Sequence, residues 1–342
     1  MEINRQALLK KLQLVSPGIS PRGITEQSNC FIFRNRRLYT YNDEICCSVG
    51  SAEFAIEGIL EHVGLLGILN KLKQETISVE CGKESLLIQC ADSRTGLTLE
   101  KELRLPLDSI VFPTEWQDLP ADFGSAVALA KECAMKDETR FDLSCVHIHP
   151  KWIEGCDDSQ MLRYRIKTGV PESVLVRATS MKQFAQLGMD QFALDESWLH
   201  FRNSKEDLMY SVRKYHEPYP EMTAFYKVEG HPLTFPGGLA EKVDAVNHFS
   251  SDSTNEVNHV FVDLRPGKMK LKGIGSYGWH EVRCKVTYSG EPLLFNVSPR
   301  LLVDFSSKAH ECSVTSERLL VNGGNYKWLG CLVAVDSVET EK

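Results

Sequence analysis

The sequence predicts an α+β protein made of three similar domains, each with two helices backed by antiparallel sheets. Strand pairs in which apolar and polar residues alternate begin near Phe31, Val146 and Val260, so their starts are 115 and 114 residues apart. A short helical pattern precedes each pair, and a further strand, a second helix and closing strands follow it. Because the same element order recurs at a nearly fixed spacing, we interpret the chain as an internal repeat. The predicted domains are residues 1–115, 116–230 and 231–342.

The helix that leads each repeat is predicted from apolar residues at helical spacing. Leu8, Leu12 and Val15 share one face in the first repeat, as Leu239 and Val243 do in the third. These leading helices are predicted over residues 4–15, 122–136 and 239–249.

The second helix of each repeat follows a strand, written "AEFAIEG", "ESVLVRA" and "EPLLFNV". In the third repeat Ser298 offers a hydroxyl cap, and Pro299 suits the first helical position. Thr179 and Ser180 give the second repeat a similar start. These helices are predicted over residues 62–73, 180–188 and 298–309.

Composition excludes several protein classes. Hydrophobic residues make up 42% of the 342 residues and charged residues 25%, as in ordinary globular proteins. The eleven cysteines include no CxxC spacing, so neither a disulfide framework nor a zinc ribbon is indicated. No apolar run is long enough to cross a bilayer, and the N-terminus lacks the layout of a signal peptide. We therefore expect a cytoplasmic protein with no membrane partner.

Patterns that suggest chemistry are weak. His147 and His149 share one strand face but have no third ligand, so paired strand histidines explain them better than a metal. The GxG in "KGIGSYG" lies in a strand hairpin, where it does not predict a nucleotide site. Asp157 and Asp158 are adjacent and read as an exposed loop pair. The sequence predicts no catalytic site, metal or cofactor, and hence no enzyme.

Four segments carry a resemblance: "SPRGITEQSNCFIF", "DETRFDLSCVHIH", "YPEMTAF" and "VTYSGEPLLFNVSPRLLVDFSSKAHECSVT". In this order and spacing they resemble the bacterial DNA polymerase III beta subunit, the sliding clamp, and its phage-encoded relatives. The resemblance implies a head-to-tail homodimer whose six domains close into a pseudo-sixfold ring, with helices facing a central hole. It also implies a processivity factor that encircles double-stranded DNA without reading bases. Its further partners would be a DNA polymerase and a clamp loader, bound through linear peptide motifs.

The charge distribution agrees with such a ring. The six predicted helices carry a net charge of +6, although the whole chain carries −7, which leaves −13 for the rest. Positive charge on the helices supplies sequence-independent affinity for phosphate. Arg22 lies where the family carries a basic loop residue. The candidate DNA-binding residues are Arg5, Lys10, Lys11, Arg22, Lys71, Lys73, Lys131, Lys136, Lys182, Lys242, Arg300 and Lys308.

The resemblance also implies a pocket for partner peptides between the second and third domains. Apolar anchors of an extended peptide would fill it, and a few polar groups would fix the register. Carried over by position, its candidates are Arg140, Leu143, Leu162, Pro220, Phe225, Ser316, Arg318, Val333 and Val335.

Two departures from the family bear on partner choice. The loop "DSQML" stands where the family has "DGHRL", and the C-terminus "AVDSVETEK" is longer and more acidic than usual. They favour an alternative function, a clamp-fold scaffold that binds peptides without encircling DNA. A second alternative is an enzyme whose site is assembled across the repeats. Ring closure is expected to bring an edge strand near residues 95–105 against residues 247–255 of the other chain.

Overall fold

The structure, a computed structural model, describes residues 1–20, 22–23, 25–91, 93–250, 258–308 and 311–335. The side chains of residues 308 and 311 are outside this description. None of the helices in the described part is both long and apolar enough to cross a bilayer.

In its described residues, the first third of the chain contains two α-helices and eight strands. They are β1 (Glu2–Asn4), α1 (Arg5–Val15), β2 (Cys30–Arg34), β3 (Arg37–Tyr41), β4 (Ile45–Gly50), β5 (Gly58–Glu61), α2 (His62–Lys71), β6 (Thr76–Cys81), β7 (Ser85–Cys90) and β8 (Ser93–Thr98).

The middle third contains one α-helix and eight strands. They are β9 (Gln117–Asp118), α3 (Phe123–Cys133), β10 (Cys145–His149), β11 (Trp152–Cys156), β12 (Gln160–Arg165), β13 (Val174–Arg177), β14 (Gln191–Leu194), β15 (Trp198–Asn203) and β16 (Leu208–Arg213).

The described residues of the last third form two α-helices and ten strands. They are β17 (His231–Thr234), α4 (Leu239–Ser250), β18 (Val260–Arg265), β19 (Lys268–Gly275), β20 (Gly278–Lys285), β21 (Thr287–Tyr288), β22 (Leu293–Val297), α5 (Pro299–Lys308), β23 (Glu311–Val314), β24 (Arg318–Asn322), β25 (Tyr326–Cys331) and β26 (Val333–Ala334).

The predicted repeat is confirmed by this element order. A leading helix, three strands, a further strand, a second helical segment and three closing strands occur three times in this order. The third repeat adds the two-residue strands β21 and β26 to it. The helix that opens the chain shows how the sequence specifies its start. The Asn4 side chain accepts a hydrogen bond from the backbone N–H of Ala7 at 2.8 Å, which satisfies a donor in the first turn.

One predicted helix is wrong in kind. Residues 180–188 form turns that include a 3₁₀ helix at Phe184–Gln186. Successive i→i+3 hydrogen bonds, such as Leu187 N–H to Phe184 O at 3.1 Å, replace the α-helical pattern. Met181, Phe184 and Leu187 are all buried, and this spacing of three matches the 3₁₀ period better than 3.6.

The described chain divides into two compact units. Unit 1 comprises Met1–Ala128, His147–Pro150 and Lys167–Glu217, and unit 2 comprises Leu129–Val146, Lys151–Ile166 and Pro218–Lys342, of which residues up to 335 are described. The three domain boundaries stay a prediction.

Unit 1 contains two antiparallel sheets. The eight-stranded sheet has the order β5-β2-β3-β4-β16-β15-β14-β9, and the smaller sheet has the order β1-β6-β7-β8. Strands from different repeats join where β4 pairs with β16. Packed rings fill the core, with Phe184 and Phe201 centroids 4.5 Å apart. Strand β8 lies at the end of the smaller sheet, and its residues 95–98 overlap the predicted edge region of residues 95–105.

Unit 2 has a corresponding arrangement. One sheet has the order β20-β19-β18-β22-β26, and a second run of strands has the order β11-β12-β25-β24-β23-β17-β21. Strands from different repeats join here where β12 pairs with β25. A Cβ atom on Gly155 of β11 would lie 2.1 Å from the Ala130 carbonyl oxygen, so the absence of a side chain lets α3 approach β11. This contact identifies the helix-covered face of the β11–β12–β25 sheet.

Residues 247–255, which are expected to meet the edge strand near residues 95–105 of the other chain, are only partly described. Residues 247–250 belong to helix α4, and residues 251–255 lie outside the described residues. The strand at the end of the five-stranded sheet is β20, which carries Trp279 with 63% of its surface exposed. A helical residue has its backbone bonds inside the helix, so strand β20 and not α4 offers an unpaired edge.

Candidate partner and DNA-binding sites

The candidate pocket residues all lie in unit 2, and their exposure separates them into two groups. Phe225 and Val333 are 46% and 54% exposed, so an approaching molecule can touch them. Leu143 is 5% exposed and Leu162 is 0% exposed. Both leucines therefore lie in the core of unit 2, and their contact with a peptide stays a prediction.

An apolar cluster lies beside the 3₁₀ helix Thr223–Tyr226, which carries Phe225. Its buried members are Met135, Leu143, Cys156, Met222, Tyr226, Leu320 and Leu329, and Met161, Tyr219 and Val228 pack against it while partly exposed. Strand register explains the set, because Met161 pairs with Leu329 and Leu329 pairs with Leu320, so the three side chains share one sheet face.

The candidate on β12 is Leu162, which is next to Met161 of the apolar cluster. Leu162 points to the opposite face from Met161, because successive side chains on a strand alternate. Its register partners are Gly155 on the α3 side and Trp328, whose ring lies 4.7 Å from that of Phe305 in α5. The alternation of the strand was readable in the sequence. The outward face of β12 is the one that does not pack against α3 and α5.

Phe225 and Arg318 mark one end of the cluster. The Arg318 guanidinium lies 5.9 Å from the centre of the Phe225 ring, a cation–π arrangement. We call Phe225, Arg318 and the apolar cluster beside them the partner site. The other candidates have separate contacts: Arg140 pairs with Asp142 at 2.9 Å, and Val333 pairs in register with Asn296.

Three further candidates lie in turns or irregular segments. Pro220 is half-buried next to Tyr219 of the cluster, and Ser316 is exposed in the turn before β24. The backbone N–H of Val335 donates to the Leu294 carbonyl oxygen at 3.2 Å.

The α1 cations, predicted to bind DNA, are mostly engaged within unit 1. Arg5 is 8% exposed and donates to the backbone oxygens of Gln74 and Leu69 at 2.8 and 2.9 Å. It holds the chain around α2 in place, so these carbonyl oxygens compete with phosphate for its guanidinium, and its role in DNA binding stays a prediction. Lys10 forms an ion pair with Glu206 at 2.8 Å and Lys11 with Glu53 at 2.6 Å; these pairs offset their charge.

Cations at α3 and α5 are also paired, within unit 2. Lys131 lies 2.7 Å from Glu132, and the same carboxylate lies 3.1 Å from Arg300. Arg300 in turn lies 3.6 Å from Asp304 one helical turn along α5. Carboxylates on these helices therefore compete with any phosphate for the cations.

The remaining predicted cations differ in exposure. Lys242 is half-buried on α4, whereas the residues Arg22, Lys71, Lys73, Lys136 and Lys182 are exposed. Lys71 ends α2 and Lys182 lies in the turns that replace the predicted helix. The side chain of Lys308 lies outside the described part of the structure.

The comparisons with solved structures agree with this architecture. The DNA polymerase III beta chain from Streptococcus pneumoniae matches with a TM-score of 0.82 at 14% identity, over 98% of this chain and 99% of that one. The beta subunit from Thermotoga maritima matches with a TM-score of 0.81 at 15% identity, over the same shares of the two chains. The chain has the sliding-clamp fold. A third structure, the Caulobacter crescentus pol III beta, matches at 18% identity with a TM-score of 0.78, again over 98% and 99%.

Sequence comparison alone does not reach this result. No protein-family model matches the chain, and no curated protein matches it. The clamp fold is therefore recognisable here from backbone geometry at identities below one in five.

Within the clamp fold, one side-chain trio in unit 1 resembles a hydrolase triad. His200 Nδ1 lies 2.7 Å from Ser211 Oγ, and Nε2 lies 3.0 Å from Asp195 Oδ2. His200 and Ser211 are both 0% exposed, so no substrate reaches the hydroxyl. Burial lowers the pKa of His200 below its usual value. The trio has the contacts expected of a satisfied core histidine.

The two strand histidines also lie close together. The rings of His147 and His149 meet edge to face with centroids 6.0 Å apart. Among the described residues, no group of three histidine, cysteine, aspartate or glutamate side chains is placed to hold a metal ion.

Proposed function

We propose that this protein is a DNA sliding clamp, a cytoplasmic, non-enzymatic processivity factor. Two copies close into a ring around double-stranded DNA, and the partner site holds a linear peptide of a DNA polymerase or a clamp loader. The observation that carries the proposal is the clamp fold itself, which extends over 98% of the chain at TM-scores near 0.8. Topological encirclement needs no base contacts and tolerates a surface of low net affinity.

Two sheet edges support ring closure. Strand β8 ends one sheet of unit 1 and strand β20 ends one sheet of unit 2, so each presents backbone donors and acceptors at its rim. Pairing β8 of one copy with β20 of the other satisfies these groups and continues a sheet across the interface. The exposed Trp279 on β20 supplies apolar surface for burial at that junction.

The partner site supports peptide capture. Phe225 offers an exposed ring beside Arg318, and the apolar cluster lies beside them. An aromatic and an arginine next to each other are the residue types that most often dominate binding energy at interfaces. The proposed peptide places an apolar side chain against Phe225.

The test is whether binding to DNA is topological. The protein is re-associated from dilute monomer in the presence of a nicked circular plasmid and separated by gel filtration in high salt. We expect co-elution with the circle and release once a restriction enzyme linearises it. Equal loss from circular and linear DNA would overturn the encircling role, because a linked ring cannot leave a closed circle.

A second function has one observation in its favour. The ion pairs of Lys10, Lys11, Lys131 and Arg300 offset much of the helix charge that DNA binding requires. A clamp-fold scaffold that binds peptides but not DNA would have this property. In the plasmid experiment the scaffold predicts peptide binding without retention on either form of DNA.

A further inference from the structure

A pocket rich in cations opens in unit 2 on the sheet face that does not contact α3. Its volume is about 470 Å³, and its wall includes Lys151, Arg163, Arg165, Lys227 and Lys327. We call these five residues, with Trp152, Thr223 and Tyr226, the cation pocket. The resemblance to the clamp family did not point to these residues. They are united by their positions on neighbouring strands and not by a sequence motif.

Strand register brings the cations together from distant parts of the sequence. Arg163 of β12 pairs with Glu154 of β11 on one side and with Lys327 of β25 on the other. Trp152 pairs with Arg165 two residues further along. Directly paired residues share a face, and so do residues two apart on one strand. These side chains therefore form adjacent rows on the face opposite Gly155.

Arg163 is fixed at the base of this pocket. Its Nε donates to the Glu154 carboxylate at 2.6 Å, and its Nη1 donates to the Thr223 hydroxyl at 2.9 Å. The guanidinium lies 4.4 Å from the Trp152 ring centre and 5.5 Å from that of Tyr226. The Arg163 side chain is 13% exposed and that of Glu154 is 2% exposed, so this pair is built into the fold.

The pocket retains a positive charge after this pairing. Glu154 and the exposed Glu221, 3.9 Å from Arg163, are the two carboxylates that the structure pairs with Arg163. Lys151, Arg165 and Lys227 are exposed and Lys327 is half-buried at the rim. Arg165, Lys227 and Lys327 add positive charge beside the paired Arg163, and aromatic walls partly screen it from water. The pocket therefore suits carboxylate groups.

The cation pocket continues directly from the partner site. Met161 lies two residues before Arg163 on β12, and Leu329 lies two residues after Lys327 on β25. On each strand the two residues share one face. That step corresponds to about 7 Å of strand, the distance between same-side residues of an extended peptide. The 3₁₀ helix Thr223–Tyr226 also borders both, since Phe225 belongs to the partner site and Tyr226 to the pocket.

We propose that the cation pocket binds an acidic segment of the same partner peptide whose apolar residue sits against Phe225. The inference rests on the proposed function, and it adds that acidic residues flanking the apolar anchor set partner choice. An acidic peptide fits better than duplex DNA because the cations converge on one walled pocket. A duplex requires cations spread along its backbone.

The experiment uses two fluorescein-labelled peptides and fluorescence anisotropy. Both peptides have a five-residue apolar anchor. In the acidic peptide four acidic residues flank the anchor on one side, and in the neutral peptide four uncharged amide residues take their place. Each peptide is made in two orders, with the flank before or after the anchor. We expect the acidic peptide, in one order, to bind roughly ten-fold tighter at low salt, as several partly screened charge pairs allow. Arg165→Gln with Lys327→Gln removes that preference and leaves the neutral peptide unchanged.

A matched control changes the same charge elsewhere. Lys83→Gln with Lys167→Gln alters two exposed lysines of unit 1 and is expected to leave both affinities as they are. Phe225→Ala is expected to weaken both peptides, which tests the partner site separately. If both peptides bind equally and both depend on Phe225, the acidic-flank inference fails while the proposed function stands.

Other outcomes also decide the question. If neither peptide responds to Phe225→Ala, the partner site itself is wrong and the inference fails with it. Competition by inorganic phosphate at matched ionic strength tests the ligand class. Displacement of the acidic peptide by phosphate alone would overturn the assignment to a peptide segment.

Discussion

The two faces of the β11–β12–β25 sheet in unit 2 handle charge in opposite ways. On the helix-covered face, Lys131 and Arg300 share Glu132, and Arg300 also meets Asp304. On the other face, four cations of the cation pocket surround the fifth, the Arg163 guanidinium, which is paired with Glu154. Counting charges along the helices predicted the first face as the basic one. The spatial placement of carboxylates, and not the number of basic residues on an element, decides where positive charge is available.

The largest expected effect is on the buried pair that supports the cation pocket. Glu154→Gln leaves the Arg163 guanidinium largely buried without its carboxylate, which we expect to lower the free energy of unfolding by about 3–5 kcal/mol. Urea unfolding measures it. Glu221→Gln is the matched control, because its carboxylate is 76% exposed and lies 3.9 Å from the same guanidinium. Equal losses for both variants would show that the pocket is not built around a buried ion pair.

The next effect concerns the assignment of the helix-covered face. Gly155→Ala places a Cβ atom 2.1 Å from the Ala130 carbonyl oxygen, so α3 must shift. We expect a loss of about 1–3 kcal/mol in the free energy of unfolding, as for overpacked cores. Gly237→Ala has no atom within 4 Å of its added Cβ and serves as the control. A neutral Gly155→Ala would mean that α3 does not lie against β11.

Lysines of unit 1 that are exposed and those held in ion pairs are expected to differ in their contribution to DNA binding. Lys71→Gln with Lys73→Gln removes two exposed cations, and we expect about 3- to 10-fold weaker binding to duplex DNA. The slope of log affinity against log salt should become less steep by about 2. Lys10→Gln, whose partner Glu206 lies 2.8 Å away, is expected to change binding less than either exposed lysine. Equal effects per lysine would show that ion pairing does not withhold charge from DNA.

The smallest effect is expected where one carboxylate is removed. Glu132→Gln releases Lys131 and leaves Arg300 with Asp304 alone, so duplex DNA should bind about two- to five-fold tighter, with a salt slope steeper by about 1. Filter binding across a salt series measures both quantities. Glu317→Gln removes an exposed carboxylate of the β23–β24 turn and controls for net charge. If the two variants have the same effect, the helix face contributes only through total charge.

The sequence alone determined the repeat, the fold class and most helices. Apolar residues at helical spacing located α1, α3 and α4, and a proline after a hydroxyl residue located the start of α5. The turn around Phe184 was predicted as an α-helix because, over so short a segment, a spacing of three residues is hard to distinguish from 3.6. Local patterns suffice where one periodicity dominates over several turns.

The site residues depended on tertiary structure. Arg5 looked like a surface cation but is buried against the carbonyl oxygens of Leu69 and Gln74, contacts made across more than sixty residues. The choice between Met161 and Leu162 required knowledge of which face α3 covers. The cation pocket joins Arg163 to Lys327, and register between β12 and β25 decides that neighbourhood. Periodicity describes the two faces of a strand, but only packing and long-range pairing decide which face is exposed and which charges meet there.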